Sequence, residues 1–185
     1  MKLDDLSQHI LHIQQKREQE LPPVHLWNPP LSGVMDLVIK TNGEWIHEGD
    51  KIEREKLIQL FSRVLKREGD HYYLITPVEK WQISVESHPF YFNKLVENEP
   101  NVFTVEGLQN YAVTISEQNP LWVEGTDDFP LPVIRVRHNL NGVLNRNVYY
   151  ELCDRAIQNK AGRYGIVSAG MFFSLEVNSE SLQSI

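Results

Sequence analysis

The feature that most constrains this chain is a motif that occurs twice at a fixed spacing. A step of 92 positions, taken without a gap, carries Ile52 onto Leu144, Arg54 onto Arg146, Leu60 onto Leu152, Arg63 onto Arg155 and Tyr72 onto Tyr164. The same step carries Ile75 onto Val167, Thr76 onto Ser168, Ile83 onto Leu175 and Val85 onto Val177. Identities are few, so the shared pattern carries the argument. Each copy has an arginine ahead of an apolar helical face, a break containing glycine, an apolar strand, a small-residue turn and an alternating strand. The expected fold class is α+β, built by internal duplication from two related halves of helix and β-hairpins.

In the first copy, residues 53–67 read as an amphipathic helix with Leu57, Ile58, Phe61, Val64 and Leu65 on one face and Lys66 and Arg67 at its end, as the helix dipole favours. Gly69 closes it, and strands over 71–75 and 80–85 flank a turn at Thr76-Pro77. The second copy places a helix over 148–158 and a hairpin over 164–168 and 172–177. Ahead of the first helix, 34–40 alternates as a strand and Asn42-Gly43 signals a hairpin turn before 44–47. Between the copies, 90–92, 102–105 and 111–115 read as strands broken by 98–101, Gly107 and 118–120. The resulting boundaries are an N-terminal helix and Pro-rich extended segment over 1–32, a first α+β half over 33–89, a second over 90–178 and a tail over 179–185.

Leu3, Leu6, Ile10 and Ile13 give the N-terminal segment one greasy stripe, as in a docking helix. His9 and His12 share a face there, but two ligands are too few for a metal site, and none is expected. Pro22-Pro23 to Pro29-Pro30 is stiff and extended, with Trp27 placed to pin it to the body.

A net charge of −7 over 185 residues argues against nucleic-acid or anionic-membrane partners, because phosphate surfaces are held by clustered lysine and arginine. Cys153, the single cysteine, has no disulfide partner within the chain and reads as a small buried apolar residue of the second helix. No apolar run is long enough to span a bilayer, and the N-terminus has no signal-peptide core, so a cytoplasmic protein is expected.

Arg54 and Arg146 fall in the first turn of their helices, where the dipole makes a cation unfavourable by roughly 0.3–1 kcal/mol. Two offsets are open. One is an acid in the fold: Glu79 suits the first copy, but its counterpart is Met171, so it serves that copy only. The other is an anionic ligand, since free amides and a guanidinium fork make a phosphate or carboxylate site. If the halves pack about a pseudo-twofold, both arginines converge on a shared cleft with Arg135 or Arg137, which alternate with apolar residues on one strand. Thr76 and Glu79 either build the hairpin turn or present a hydroxyl and a carboxylate to a ribose or base. Of the neighbours Tyr149 and Tyr150, which point to different faces of the helix, one is core and the other, Tyr150, is free to stack on a ring. Asp127-Asp128 reads as a solvated turn.

The sequence also resembles the uncharacterised bacterial family known as domain of unknown function 1285. The resemblance runs through Asn42-Gly43-Glu44-Trp45, Arg54 with Leu60-Phe61-Ser62, Thr76-Pro77-Val78-Glu79-Lys80, Pro89-Phe90, Arg137 with Leu140, Arg146 with Val148-Tyr149-Tyr150-Glu151-Leu152, and Ser168-Ala169-Gly170-Met171-Phe172-Phe173. It departs at Asn42, where the family usually has Asp, and near Ile115-Ser116, where a Thr-Asn pair is missing. The resemblance implies a duplicated α+β fold whose C-terminal half superficially looks like a pleckstrin-homology domain. It also implies a small-ligand site between the halves, with a nucleotide as candidate, and a role in signal transduction.

The leading reading is a cytoplasmic module that senses a small anionic, nucleotide-like ligand through Arg54, Thr76, Glu79, Arg135, Arg137, Arg146 and Tyr150, with no cofactor. The alternative is a protein–protein adaptor that docks through the N-terminal helix and Pro-rich segment. No nucleophile elbow, phosphate loop, dinucleotide fingerprint or zinc motif occurs, which leaves carboxylate-dependent phosphoester hydrolysis as the catalytic reading.

Overall fold

The computed structural model describes residues 7, 8, 10, 21–108 and 110–177. Most of the expected N-terminal helix, with Leu3, Leu6, Ile13, His9 and His12, and the tail over 179–185 lie outside the described residues. The chain divides between Pro89 and Phe90 into two compact units.

The first unit opens with a short 3-10 turn, Val24–Leu26, followed by β1 (Leu31–Ile39), β2 (Trp45–His47) and β3 (Asp50–Lys51). Then come α1 (Glu55–Arg63) and a second meander, β4 (Leu65–Glu68), β5 (His71–Ile75) and β6 (Lys80–Val85). One sheet in the order β3-β2-β1-β6-β5-β4 results, antiparallel except where β6 runs parallel to β1. Asn42-Gly43 makes the β1–β2 turn: Gly43 takes φ 84°, open to glycine at little cost, and the Asn42 side chain accepts the Glu44 amide at 3.1 Å. Alternation along β1 buries Met35, Leu37 and Ile39. Helix α1 buries Leu57, Leu60 and Phe61, and Phe61 stacks on Trp45 with ring centroids 6.3 Å apart.

In the second unit, β7 (Phe90–Glu99), β8 (Val102–Gly107) and β9 (Ala112–Thr114) precede β10 (Leu121–Thr126), β11 (Phe129–Arg137) and β12 (Leu140–Leu144). After α2 (Arg146–Cys153) come β13 (Ile157–Gln158), β14 (Tyr164–Ser168) and β15 (Met171–Ser174). The duplication is now visible as topology. In both units a three-stranded meander leads through a helix into a second three-stranded meander. The end of the second meander returns parallel to the first strand of the first: β6 beside β1 in one unit, and Val177 bridging Val123 of β10 in the other. The second unit carries an additional meander, β7-β8-β9, whose first strand lies parallel to β12.

Both helices are shorter than their periodicity predicts, for one reason. Residues 65–68 and 157–158 leave the helix and pair as strands: Leu65 lies opposite Leu74, and Ile157 opposite Gly165. Gly69 is a hairpin residue at φ 58° in a two-residue Gly-Asp loop rather than a helix stop. The pairing buries Leu65 and sets Arg67 over the Tyr72 ring at 5.5 Å, contacts that a continued helix would forgo. Residues 98–101, expected as a break, are the tip of the β7–β8 hairpin, with β7 running to Glu99.

Thr76 and Ser168 mark how the copies diverge. Thr76 is fully buried and accepts the Val78 and Glu79 amides at 3.3 and 3.0 Å, which closes its own turn. Ser168, also fully buried, accepts the Phe103 amide at 3.0 Å and donates to the Ile115 carbonyl at 2.7 Å, so it ties the β14–β15 hairpin to the additional meander.

Candidate functional site

The two helices begin differently because different residues stand ahead of them. Asn145 is a good cap: its side chain accepts the Val148 amide at 2.9 Å and its carbonyl the Tyr149 amide at 3.0 Å. Arg146 is then the first helical residue, and helix geometry leaves the amides of Arg146 and Asn147 without an acceptor inside α2. In the first copy Glu53 stands where Asn145 does, and glutamate is a poor cap. Helix α1 starts one position later, with Arg54 itself as an extended cap residue whose carbonyl accepts the Leu57 and Ile58 amides at 2.9 and 3.2 Å but whose side chain does not cap the helix, and with Glu55 supplying an acid in the first turn.

The start of α2 opens into a recess of about 430 Å³ within the second unit. One wall is the β10–β11 hairpin, Asp128 to Pro132; the others are the end of β12, Tyr91 of β7 and the helix residues Arg146, Tyr149 and Tyr150. Tyr91 is there because β7 runs parallel to β12, which places it opposite Val143. Arg146 is exposed and forms no ion pair among the described residues. Tyr150 is 56% exposed, and its ring centroid stands 6.3 Å from that of Tyr149 at an interplanar angle of 38°. Tyr149 donates its hydroxyl to the Leu175 carbonyl at 2.7 Å, and burial pushes its phenol up to about 12, so this wall stays neutral. Phe129, at the hairpin tip, is 72% exposed. Asp128 is the single carboxylate among the lining residues. The recess therefore joins a cationic helix start, aromatic walls and one acceptor carboxylate.

Arg54 lines a recess of its own unit, about 570 Å³, together with Ser7, Glu55, Lys56, Leu57 and Leu60. Of the residues expected to form the site, the structure brings Arg146 and Tyr150 together in the second-unit recess. Arg135 and Arg137 belong to the same unit but do not line that recess. A register shift on β11 falls between them. Arg135 is exposed on β11, while Arg137 donates to the Tyr111 hydroxyl and lies over the Phe90 and Tyr111 rings at 5.5 and 5.6 Å. Thr76 and Glu79 share the β5–β6 turn, with the Thr76 hydroxyl engaged there. Cys153 is exposed, contrary to expectation, because the buried face of α2 is Val148 and Leu152 and its last residue falls off that stripe. Among the described residues no group of three or more His, Cys, Asp or Glu side chains is placed to hold a metal. Nor is any described helix long and apolar enough to cross a membrane.

Tyr91, Asp128, Phe129 and Asn145 also line the recess, beyond the residues expected from the sequence. Asn145 was readable as a helix cap. The other three come from parts of the chain that meet only through the β12–β7 pairing and the β10–β11 hairpin.

These features define a class: a duplicated α+β protein in which each copy is meander, helix and meander, with an arginine at each helix start, Arg54 as the cap of α1 and Arg146 as the first residue of α2. The chain belongs to the DUF1285 family: residues 22–88 match its N-terminal domain of unknown function, and residues 97–175 match the C-terminal domain of this family of proteins of unknown function. Among solved structures, the chain is similar to a DUF1285 family protein from Silicibacter pomeroyi DSS-3. The TM-score is 0.79 and the identity 32%, over 94% of this chain and 97% of that one. It is also similar to a DUF1285 family protein from Shewanella baltica OS155, with a TM-score of 0.53 and 25% identity over 65% of this chain and 91% of that one. No curated protein matches the chain.

Proposed function

We propose that this protein is a cytoplasmic binding module for a small anionic, nucleotide-like ligand, with a role in signalling, and that the recess at the start of α2 is the seat. The observation that carries the reading is Arg146: an exposed guanidinium without an ion pair among the described residues, on the wall of a recess, at a helix start whose first two amides have no acceptor within the helix. A phosphate placed there removes the unfavourable meeting of a cation with the positive end of the dipole. Tyr91, Tyr149, Tyr150 and Phe129 offer flat surfaces for a ring, and Asp128 offers an acceptor for hydroxyl groups, which is the chemistry of a nucleoside phosphate. A volume near 430 Å³ lies within the range of small-molecule sites.

A thermal-shift screen of nucleotides and metabolite phosphates at low salt tests the proposal. A ligand at about a hundred times its dissociation constant adds about 2.7 kcal/mol of stability. The expected result is stabilisation by phosphate-bearing compounds with an aromatic ring and none by their uncharged nucleosides. Equal stabilisation by a nucleoside and its phosphate overturns the anionic reading.

A further inference from the structure

The second meander of each copy has the same topology, but its first strand meets different surroundings. In the first unit the Val24–Leu26 turn packs against β4, and Lys66 Nζ donates to the Trp27 carbonyl at 2.9 Å, which ties the proline-bounded segment to that strand. In the second unit the stretch that precedes β10 takes another course. Asn119 donates to the carbonyls of Arg135 and Val136, each at 3.0 Å, and holds Pro120 beside β11. Gln158 stands where Lys66 stands, and its side chain turns back to donate to the Gly162 carbonyl at 2.9 Å. Strand β13 is thus the terminal strand of its sheet, and among the described residues no strand pairs with its outer edge.

That edge has a definite chemistry. Residues 155–164 carry Arg155, Lys160 and Arg163 and no acid, in a chain whose net charge is −7. Arg155 and Lys160 form no ion pair among the described residues, while Arg163 is shared with Glu176 at 3.4 Å. Asn159 accepts the amides of Ala161 and Arg163 at 2.9 and 3.0 Å, so the loop that presents Lys160 and Arg163 is internally fastened. Ile157 and Tyr164 are 52% and 55% exposed beside it. The Asn159 amide points inward to the Arg163 carbonyl at 3.0 Å, so by strand alternation the neighbouring Gln158 amide faces the free edge. A short edge flanked by cations repels a second copy of itself and admits a strand of opposite sign.

We infer that the free edge of β13 receives an extended acidic peptide segment of a partner protein, which adds beside β13 as a fourth strand. Its backbone pairs with the Gln158 amide, its carboxylates meet Lys160, Arg155 and Arg163, and an apolar side chain rests on Ile157 or Tyr164. This surface is separate from the recess and does not depend on what the recess binds.

Fluorescence anisotropy of the full chain with a fluorescein-labelled peptide of alternating glutamate and valine, at low ionic strength, tests the inference. Saturable binding is expected, with little for the matching lysine–valine peptide. The double variant Lys160→Glu and Arg163→Glu weakens it by about tenfold or more. Gln158→Pro, which removes the outward donor and leaves the inward ladder bonds, also removes binding while circular dichroism and the melting temperature stay close to those of the parent. Equal binding of the lysine–valine peptide overturns the inference, as does acidic-peptide binding unchanged in both variants. Self-association in sedimentation velocity that Gln158→Pro abolishes would place a second copy at the edge and overturn it equally.

Discussion

Thr76 and Ser168 occupy one position of the repeated motif, both are fully buried, and each spends its hydroxyl on a different part of the fold. Thr76 closes a local turn. Ser168 reaches residues far away in the chain and joins the hairpin to the meander that only the second unit has. Duplication thus preserved a buried hydroxyl and reassigned its partners.

The reassignment sets an order of cost. Ser168→Ala leaves the Phe103 amide and the Ile115 carbonyl unpaired in buried surroundings, which costs about 1–3 kcal/mol. Thr76→Ala loses turn bonds whose amides lie beside exposed residues and costs about 1 kcal/mol. Urea denaturation of the two variants measures the difference; a larger loss for Thr76→Ala contradicts this assignment.

Glu68 joins two lysines of the first unit, accepting from Lys80 and pairing with Lys66, each at 2.9 Å. The hydrogen bond from Lys80, then that from Lys66, holds its carboxyl below the usual value of 4.5. A carboxylate depressed in the folded state stabilises above its unfolded value, and that contribution fades as pH falls through the folded one. The parent should exceed Glu68→Gln in stability at neutral pH by a fraction of a kcal/mol, since the group is partly solvated, and the gap should close in acid. Chemical denaturation across that range reads it, and a gap independent of pH would contradict the account.

Tyr149 is shifted the other way, up to about 12 from an ordinary 10, chiefly by burial. A phenol raised in the folded state contributes stability that is complete below the unfolded value and is lost as pH rises through the folded one. Absorbance titration of tyrosinate should show a late-ionising step, and Tyr149→Phe should delete it. A titration unchanged by the substitution would show the late step to belong elsewhere.

Much of this architecture was legible in the sequence because the repeat carries both helical and strand periodicity at one spacing. Asn42-Gly43 fixed its hairpin by turn chemistry alone. Residues 65–68 are ambiguous in sequence because Leu65 fits a helical face and a buried strand position equally well, and pairing with β5, invisible locally, decides for the strand. Arg146 and Tyr150 were legible as a helix start and a surface aromatic. Tyr91 and Phe129 were not, since parallel pairing of β7 with β12 and the reach of the β10–β11 hairpin bring them to the recess from elsewhere in the chain. Asp128 has the local sequence of a solvated turn, and only the β10–β11 hairpin makes it part of a wall. Cys153 follows the core residue Leu152, but one residue's rotation about the helix carries it off the buried face.

Isothermal titration of the strongest phosphate-bearing ligand against the parent, Arg146→Ala and Arg54→Ala tests the central claim most directly. The account predicts that Arg146→Ala weakens binding by about ten- to a hundredfold, the worth of a charged hydrogen bond, with the fold intact. It also predicts that Arg54→Ala, whose arginine lines the other unit's recess, leaves this binding largely in place. Undiminished affinity in Arg146→Ala would contradict the account.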